Sequence, residues 1–498
     1  MSRNAIDLRQ GDAGRLIFSY AYLGLPLLIF GLGWLRPGFG AILFAVVLIG
    51  FMLLIRQLRT IDVSDPPPAG LSLRQFTPIA AILFCWSIFS GIGGFGFQNS
   101  DWIAHNGLLN HLSRESWPLI LHPPGDPTGE PFYYVYYVAF YLPAALVGKL
   151  AGWTAANVAL FLWAFFGLLL AMAWFLRLLD LDAGTRGIFL VAPVFALFSG
   201  LDIVGWVLVR GGLPELGEHI EWWTGKPLQY SSISTLLFWV PQHAIAAWIL
   251  TGVTMFYILS GLAPISVGVF YAFSALWTPF AVVGALPFAV LALVIALRRH
   301  RISEVFSLSN LVLAPLALAP VALFITANTF SFPFQFAIDE DWPSFLRTYS
   351  LFILLEIGVF IPPLWFLARD RLLKAPHAPW FWVSVFVFLA LPLIVMGFAN
   401  DIVMRGSIPA FFVLGMLCAY ALLGTGPMLA RLFLIAALCV GAMTPLAEIV
   451  RSAQGYTLPP PQIEEVRHFL TQRDTYVIQR KGDREAFFFR TLARTNAP

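Results

Sequence analysis

The chain alternates long apolar runs with short polar interruptions, and most of the runs are of membrane-spanning length. They fall near residues 16–35, 39–55, 78–97, 155–176, 188–201, 235–259, 263–278, 279–297, 308–327, 349–368, 379–398, 407–424 and 428–447. This pattern predicts an all-α polytopic membrane protein with about 13 transmembrane helices, two of them short. The longest polar interruption is the loop 98–153, which is expected to carry interfacial helices. Its last third holds YYVYYVAFY, an aromatic band of the kind that prefers the headgroup region, and then Pro143. No internal repeat is visible, so the inverted-repeat architecture of many transporters finds no support in the pattern.

Composition sharpens the class. Hydrophobic residues make up 59% of the chain and charged residues 11%, with a mean hydropathy of +0.79. So few polar side chains cannot cover a soluble domain. The net charge of +3 is close to balanced and gives no reason to expect a nucleic-acid partner. Cys85, Cys418 and Cys439 each lie inside an apolar run, which disfavours a disulfide framework or a zinc site. Arg3, Arg9 and Arg15 precede the first run, which has no small-residue cleavage site and so reads as a retained anchor.

The basic residues decide the topology. If residues 133–150 lie at the interface instead of crossing, fifteen Lys and Arg fall on the N-terminal side, among them Arg298, Arg299, Arg301, Arg369, Arg371 and Lys374. Seven fall on the other side before the tail. That bias places the N-terminus in the cytoplasm, with loops 98–153, 202–234 and 328–348 and the turn 398–405 on the outer face. The domain reading is an N-terminal hairpin with a cytoplasmic loop (1–77), a transmembrane module (78–447) and a small outer-face element (448–498). In that element PPPQIEEVRHFLTQ reads as a proline-started helix. DTYVIQR and EAFFFRTLA read as short strands, a hairpin or a second helix.

Candidate chemistry gathers on the outer side. Asp101 and His105 share a helix face at spacing i, i+4, where the carboxylate suits a general base and the imidazole suits an orienting or substrate-binding role. A helix cap and a solvated histidine would read the same way. Asp202 ends the fifth run at the expected depth of Asp101, and two acidic groups at one interface are the donor type for a divalent cation or for divided acid and base roles. Arg405, in NDIVMRGSIPA, is an arginine on the arginine-poor side, suited to bidentate contact with phosphate or to pairing with Asp401. Gln242 and His243 lie inside a span, as does Glu356, and each would line a cavity or bond a neighbouring helix. His111, His122, Asp126 and Glu130 have ligand chemistry but no metal-motif spacing, and the aromatics from Tyr133 and Tyr134 onward could stack on sugars or anchor the segment in headgroups. No P-loop, dinucleotide glycine pattern or serine-hydrolase elbow is present, which disfavours ATP- and nicotinamide-dependent chemistry.

QNSDWIAHN followed by YYVYYVAFYLPAALVGKLAG, then SGLD, then MRGSIP, resembles the GT-C class of integral-membrane glycosyltransferases across roughly residues 78–447. The resemblance implies a polyprenyl-phosphate-linked sugar donor, a glycan or lipid acceptor, membrane lipids as surroundings, and a bacterial-type inner membrane with the active site on its periplasmic face. It implies catalytic roles for Asp101, His105 and Asp202, and donor-phosphate contacts from Arg405, Lys226 and Arg210. Gln242, His243, Tyr133, Tyr134 and Asp401 would line the substrate. The sequence departs from the class in placing its first large loop after the third run, and in having a lone Asp with no paired acid. The competing expectation is a transporter or flippase for a lipid-linked or glycan substrate. A non-catalytic assembly scaffold is a third.

Overall fold

The computed structural model describes residues 8–59, 73–121, 130–180, 187–215, 219–330, 334–338, 341–397, 399–455 and 480–494. His122, Asp126 and the helix expected over PPPQIEEVRHFLTQ lie outside the described residues. α1 (Gln10–Trp34) and α2 (Pro37–Leu58) form a hairpin, with Leu35 and Arg36 at the turn. Pro37 takes the first position of α2, where its missing N–H is not needed. After α3 (Leu73–Ile88) come α4 (Asp101–Arg114), the short strands β1 (Ile120–Leu121) and β2 (Phe132–Tyr134), and α5 (Leu142–Leu179).

α5 is two arms. Gly152 sits at φ +85° and ψ −175°, outside the helical region, in a conformation that a side chain would strain. The first arm, 142–151, rises only about 15 Å at 1.5 Å per residue, half the hydrocarbon thickness, and cannot cross alone. The second arm is long enough to do so.

The chain continues through α6 (Val191–Ala196), α7 (Asp202–Arg210), α8 (Ile233–Trp239), α9 (Pro241–Ser260), α10 (Val267–Ala275), α11 (Pro279–Arg298), α12 (Ile302–Val305) and α13 (Ala314–Ile325). Then come β3 (Gln335–Phe336), α14 (Trp342–Glu356), α15 (Ile361–Leu367), α16 (Arg369–Leu373), α17 (Ala378–Ala390), β4 (Ile394–Val395), α18 (Asp401–Gly406), α19 (Ile408–Leu423), α20 (Met428–Gly441), α21 (Met443–Gln454) and β5 (Lys481–Gly482). The architecture is nearly all-α. Among the described residues six helical stretches are long and apolar enough to cross a membrane, or seven if α14 and α15, bent by 42°, count as one. Length and composition thus support six or seven spans and do not confirm the expected 13. Some apolar runs are interrupted: 188–201 yields only the six-residue α6 and 263–278 the nine-residue α10. α17 and α19 are apolar but shorter than the ~20 residues a span needs.

α9 is the axis of the bundle. All twenty of its residues are buried, polar ones such as Gln242 and His243 included, packed by α5, α8, α10, α11 and α19. In a bilayer apolar burial does not by itself drive helices together, so the polar bridges matter. Trp174 Nε1 donates to Ser19 Oγ at 2.8 Å, Tyr20 OH to Val47 O at 2.7 Å and Trp86 Nε1 to Ser234 Oγ at 2.9 Å, each worth roughly 0.6 kcal/mol. A stronger tie joins the start of α1 to the end of α5. Arg177 grips Asp12 through Nε at 2.8 Å and Nη2 at 3.0 Å with both side chains buried, and Arg9 reaches Asp180 at 2.8 Å.

The end of the chain is woven into this bundle. β5 is the third strand of an antiparallel sheet ordered β1-β2-β5, with Ile120 opposite Tyr133, Tyr133 opposite Gly482 and Tyr134 opposite Lys481. EAFFFRTLA, open between strand and helix from sequence, forms a π-helical turn at Phe488–Leu492. Its Phe489 stacks on Tyr133 at 3.9 Å, its Phe488 packs on Phe30 and Phe324, and Ala493 bridges to Leu35.

Candidate functional site

Asp101 opens α4, its backbone N–H bonded to Asn99 Oδ1 at 3.0 Å. Asn99 Nδ2 and Trp102 Nε1 both donate to the Phe238 carbonyl, at 3.0 and 2.8 Å, which pins the first turn of α4 to the end of α8. The carboxylate oxygens of Asp101 make no hydrogen bond among the described residues. Burial pushes the carboxyl above the ordinary carboxylate range, and the charges of Arg405 and Arg480 pull it back. A carboxylate so placed is a stronger base than one in water and remains attracted to cationic neighbours.

Arg405 comes from α18. Its Nη1 bonds Asp401 Oδ1 at 2.8 Å one turn earlier, and the guanidinium lies 5.9 Å from the Phe280 ring centroid. Two features seat α18. Asn400, at φ +60°, accepts from Met396 N at 3.0 Å and donates to Pro227 O at 2.9 Å. Gly284 of α11 lets the backbones touch, since a Cβ there would fall 1.9 Å from Gly406 O.

Arg480, from the residue preceding β5, stands over the Tyr136 ring at 4.2 Å from its centroid, while its carbonyl accepts from Val135 N at 2.9 Å. The sequence reading did not select it. Two guanidinium groups, the carboxylates of Asp101 and Asp401 and the phenols of Tyr134, Tyr136 and Tyr137 thus share one electrostatic neighbourhood. Burial pushes the Tyr134 phenol up to about 12, so it remains a neutral hydrogen-bond donor.

The other expected site residues divide into groups. His105 is fully engaged: Nε2 donates to the Trp239 carbonyl at 2.9 Å, which leaves Nδ1 to accept from Tyr141 OH. Burial drives its pKa down to about 4, so it is a neutral fixture that locks α4 to the start of α5. His243 bonds Thr278 Oγ1 through Nδ1 at 2.8 Å and meets the Tyr137 ring edge-on at 5.2 Å. Its Nε2 and both amide atoms of the neighbouring Gln242 are buried with no partner among the described residues, which is unspent polar capacity. The strand alternation of β2 sends Tyr134 toward Arg480 and Tyr133 toward Phe489. Arg210 is exposed, donating to Trp222 O at 3.1 Å beside Trp206, and Lys226 lies next to Pro227, whose carbonyl holds Asn400.

Asp202 belongs to a second centre. It accepts from Ser199 Oγ at 2.7 Å and faces Glu356, which takes a hydrogen bond from Trp223 Nε1 at 2.9 Å. Burial raises the Asp202 carboxyl, and nearby Glu221 is pushed up to about 8 by burial and by Asp202. Trp239 stands between the two centres. Its carbonyl holds His105, and its indole donates to Glu448 Oε2 at 2.9 Å. Among the described residues no group of three or more His, Cys, Asp or Glu has the geometry to hold a metal ion, Glu130 and His111 included.

No protein-family model, curated protein or solved structure matches this chain.

Proposed function

We propose that the chain is a membrane glycosyltransferase that moves a sugar from a lipid-phosphate-linked donor to an acceptor hydroxyl. One observation carries the reading: Asp101, Arg405 and Arg480, far apart in sequence, lie within electrostatic reach of one another among three tyrosines. Arg405 and Arg480 hold the donor phosphate, which matches guanidinium geometry and charge. Asp101 takes the acceptor's hydroxyl proton as that oxygen attacks the anomeric carbon. The carbon–oxygen bond to the phosphate breaks and its electron pair stays on the phosphate, where the two arginines neutralise it. A single displacement inverts the anomeric centre. The tyrosines and the unspent amide of Gln242 offer donors and ring faces to the sugar. We read the side of the membrane that holds this site as the periplasmic face, from the distribution of basic residues in the sequence.

The test is mass spectrometry of lipids carried through purification. A polyprenyl phosphate retained by the wild type and lost from the Arg405→Ala and Arg480→Ala variants is the expected result; equal retention by all three would remove the phosphate role.

The second reading, transport or flipping of the same lipid, is favoured by the buried carboxyls Asp202, Glu221 and Glu356, a grouping found along proton paths. Labelling of introduced cysteines separates the two: water access to position 356 that alternates between membrane faces marks a transporter, and access confined to one face marks the transferase.

A further inference from the structure

A cavity of about 850 Å³ opens where the α1–α2 turn meets the first arm of α5. Its lining includes Arg36, Lys149 and Arg494 together with the apolar Ile29, Leu32 and Leu146. The cations are held in place from behind. Arg36 spends Nε and Nη2 on the carbonyls of Ala493 and Arg490, at 3.1 and 2.8 Å. Arg494 spends Nε on Leu35 O at 2.9 Å, and Lys149 is steadied by Glu115 O and the Trp117 ring, 4.8 Å from its centroid. Arg36 Nη1 and both Arg494 Nη atoms make no hydrogen bond among the described residues, and all three cations are exposed. Glu115 is the acid whose charge Lys149 feels.

A second cavity, about 340 Å³ and almost wholly apolar, lies further along α1 between α2 and α5, lined by Leu25, Leu28, Phe44, Leu48 and Phe166. Phe18, Leu25 and Leu32 stand at seven-residue spacing on one face of α1 and are 54%, 40% and 57% exposed. The two cavities therefore follow one stripe. From Leu32 to Phe18 it runs about 21 Å, more than one leaflet's share of a ~30 Å hydrocarbon core.

A cationic mouth at the boundary, continued by an apolar track one leaflet deep, has the charge and length of one anionic phospholipid. We propose that this groove binds a phospholipid with an anionic headgroup, its phosphate at Arg36, Lys149 and Arg494 and an acyl chain on the Phe18–Leu25–Leu32 stripe. The site is separate from the candidate catalytic centre, because α4, about 21 Å long, lies between Asp101 and the Ser116–Trp117 edge of the mouth. It does not depend on the transferase reading.

The test uses the full chain in detergent, with native mass spectrometry counting bound phosphatidylglycerol against phosphatidylcholine. Wild type should hold one phosphatidylglycerol at least about tenfold more tightly than phosphatidylcholine, the factor expected of charge-assisted hydrogen bonds to phosphate. Lys149→Gln, which removes the cation least tied to the tail, should lower that preference severalfold, and the R36Q/K149Q/R494Q variant should abolish it. Leu25→Trp, which leaves every charge in place and fills the track, should weaken both lipids. Equal retention of the two lipids by wild type, or an unchanged preference in folded Lys149→Gln, would overturn the proposal. So would displacement of the lipid by millimolar inorganic phosphate, which would mark a soluble anion as the occupant.

Discussion

The Arg480 guanidinium lies over the Tyr136 ring, 4.2 Å from its centroid, so the end of the chain supplies a cation to the neighbourhood of Asp101. The β2–β5 pairing puts it there, since Tyr134 sits opposite Lys481, the residue after Arg480. Under the proposed mechanism Arg480→Ala should raise the apparent donor KM by roughly 10- to 100-fold, the range for a charge-assisted hydrogen bond of about 1.5–3 kcal/mol. Arg480→Lys should recover little, because an ammonium cannot reproduce the planar fork. Steady-state kinetics over a donor series reads this out; an unchanged KM in both variants removes Arg480 from the phosphate site.

Gly284 places Arg405 by letting α11 and α18 touch. Gly284→Val should push α18 away and cost about 1–3 kcal/mol of stability, as overpacking does. Donor affinity should fall as well, although residue 284 touches no substrate. A variant that melts early but binds donor normally would show that the contact serves packing alone.

The Arg177–Asp12 pair is buried at the opposite end of α5 from the candidate site. Asp12→Ala removes the buried partner and leaves the guanidinium to the partly exposed Asp180, 3.2 Å from Nη1, so thermal unfolding in detergent should report a loss of about 1.5–3 kcal/mol. Replacing both partners, Asp12→Ala with Arg177→Met, should restore most of it. If the double variant is as unstable as the single one, the pair contributes more than relief of an unpaired charge.

Glu221 is pushed up to about 8 from an ordinary value of 4.5, by burial first and then by Asp202, with Glu448 adding to the rise. Its partners are Ser232 N, Gln229 and, at 3.7 Å, His219. A raised carboxyl holds its proton more tightly in the folded state. Its contribution to stability is therefore fully present below pH 4.5 and lost as pH rises to about 8. Glu221→Gln stays neutral throughout, so the melting temperature of the variant minus that of the wild type should grow across that window and level off above it. A difference that is flat with pH would mean that Glu221 titrates normally.

The sequence could place Asp101 and Arg405 at one end of the molecule, because charge bias and run length are local properties and the turn at 398–405 is short. It could not find Arg480. A two-residue strand has no periodicity, and pairing across some 350 residues leaves no local trace. Asp202 was expected beside Asp101 from depth alone, but depth does not fix the direction in which a side chain points, and Asp202 turns toward Glu356. His105 was expected to orient Asp101 or bind substrate; both its ring nitrogens are spent on Tyr141 and Trp239. The span count suffered for a related reason: apolar runs read alike whether or not a proline or glycine divides them.

The central claim is that Asp101 accepts the proton of the attacking hydroxyl. The most direct measurement is transfer of radiolabelled sugar from a polyprenyl-phosphate-linked donor to acceptor by the full chain in proteoliposomes, wild type against Asp101→Asn. The account predicts transfer by the wild type and a loss of roughly 100-fold or more in kcat for the variant, with unchanged donor binding and melting temperature. Transfer by Asp101→Asn at the wild-type rate would contradict it.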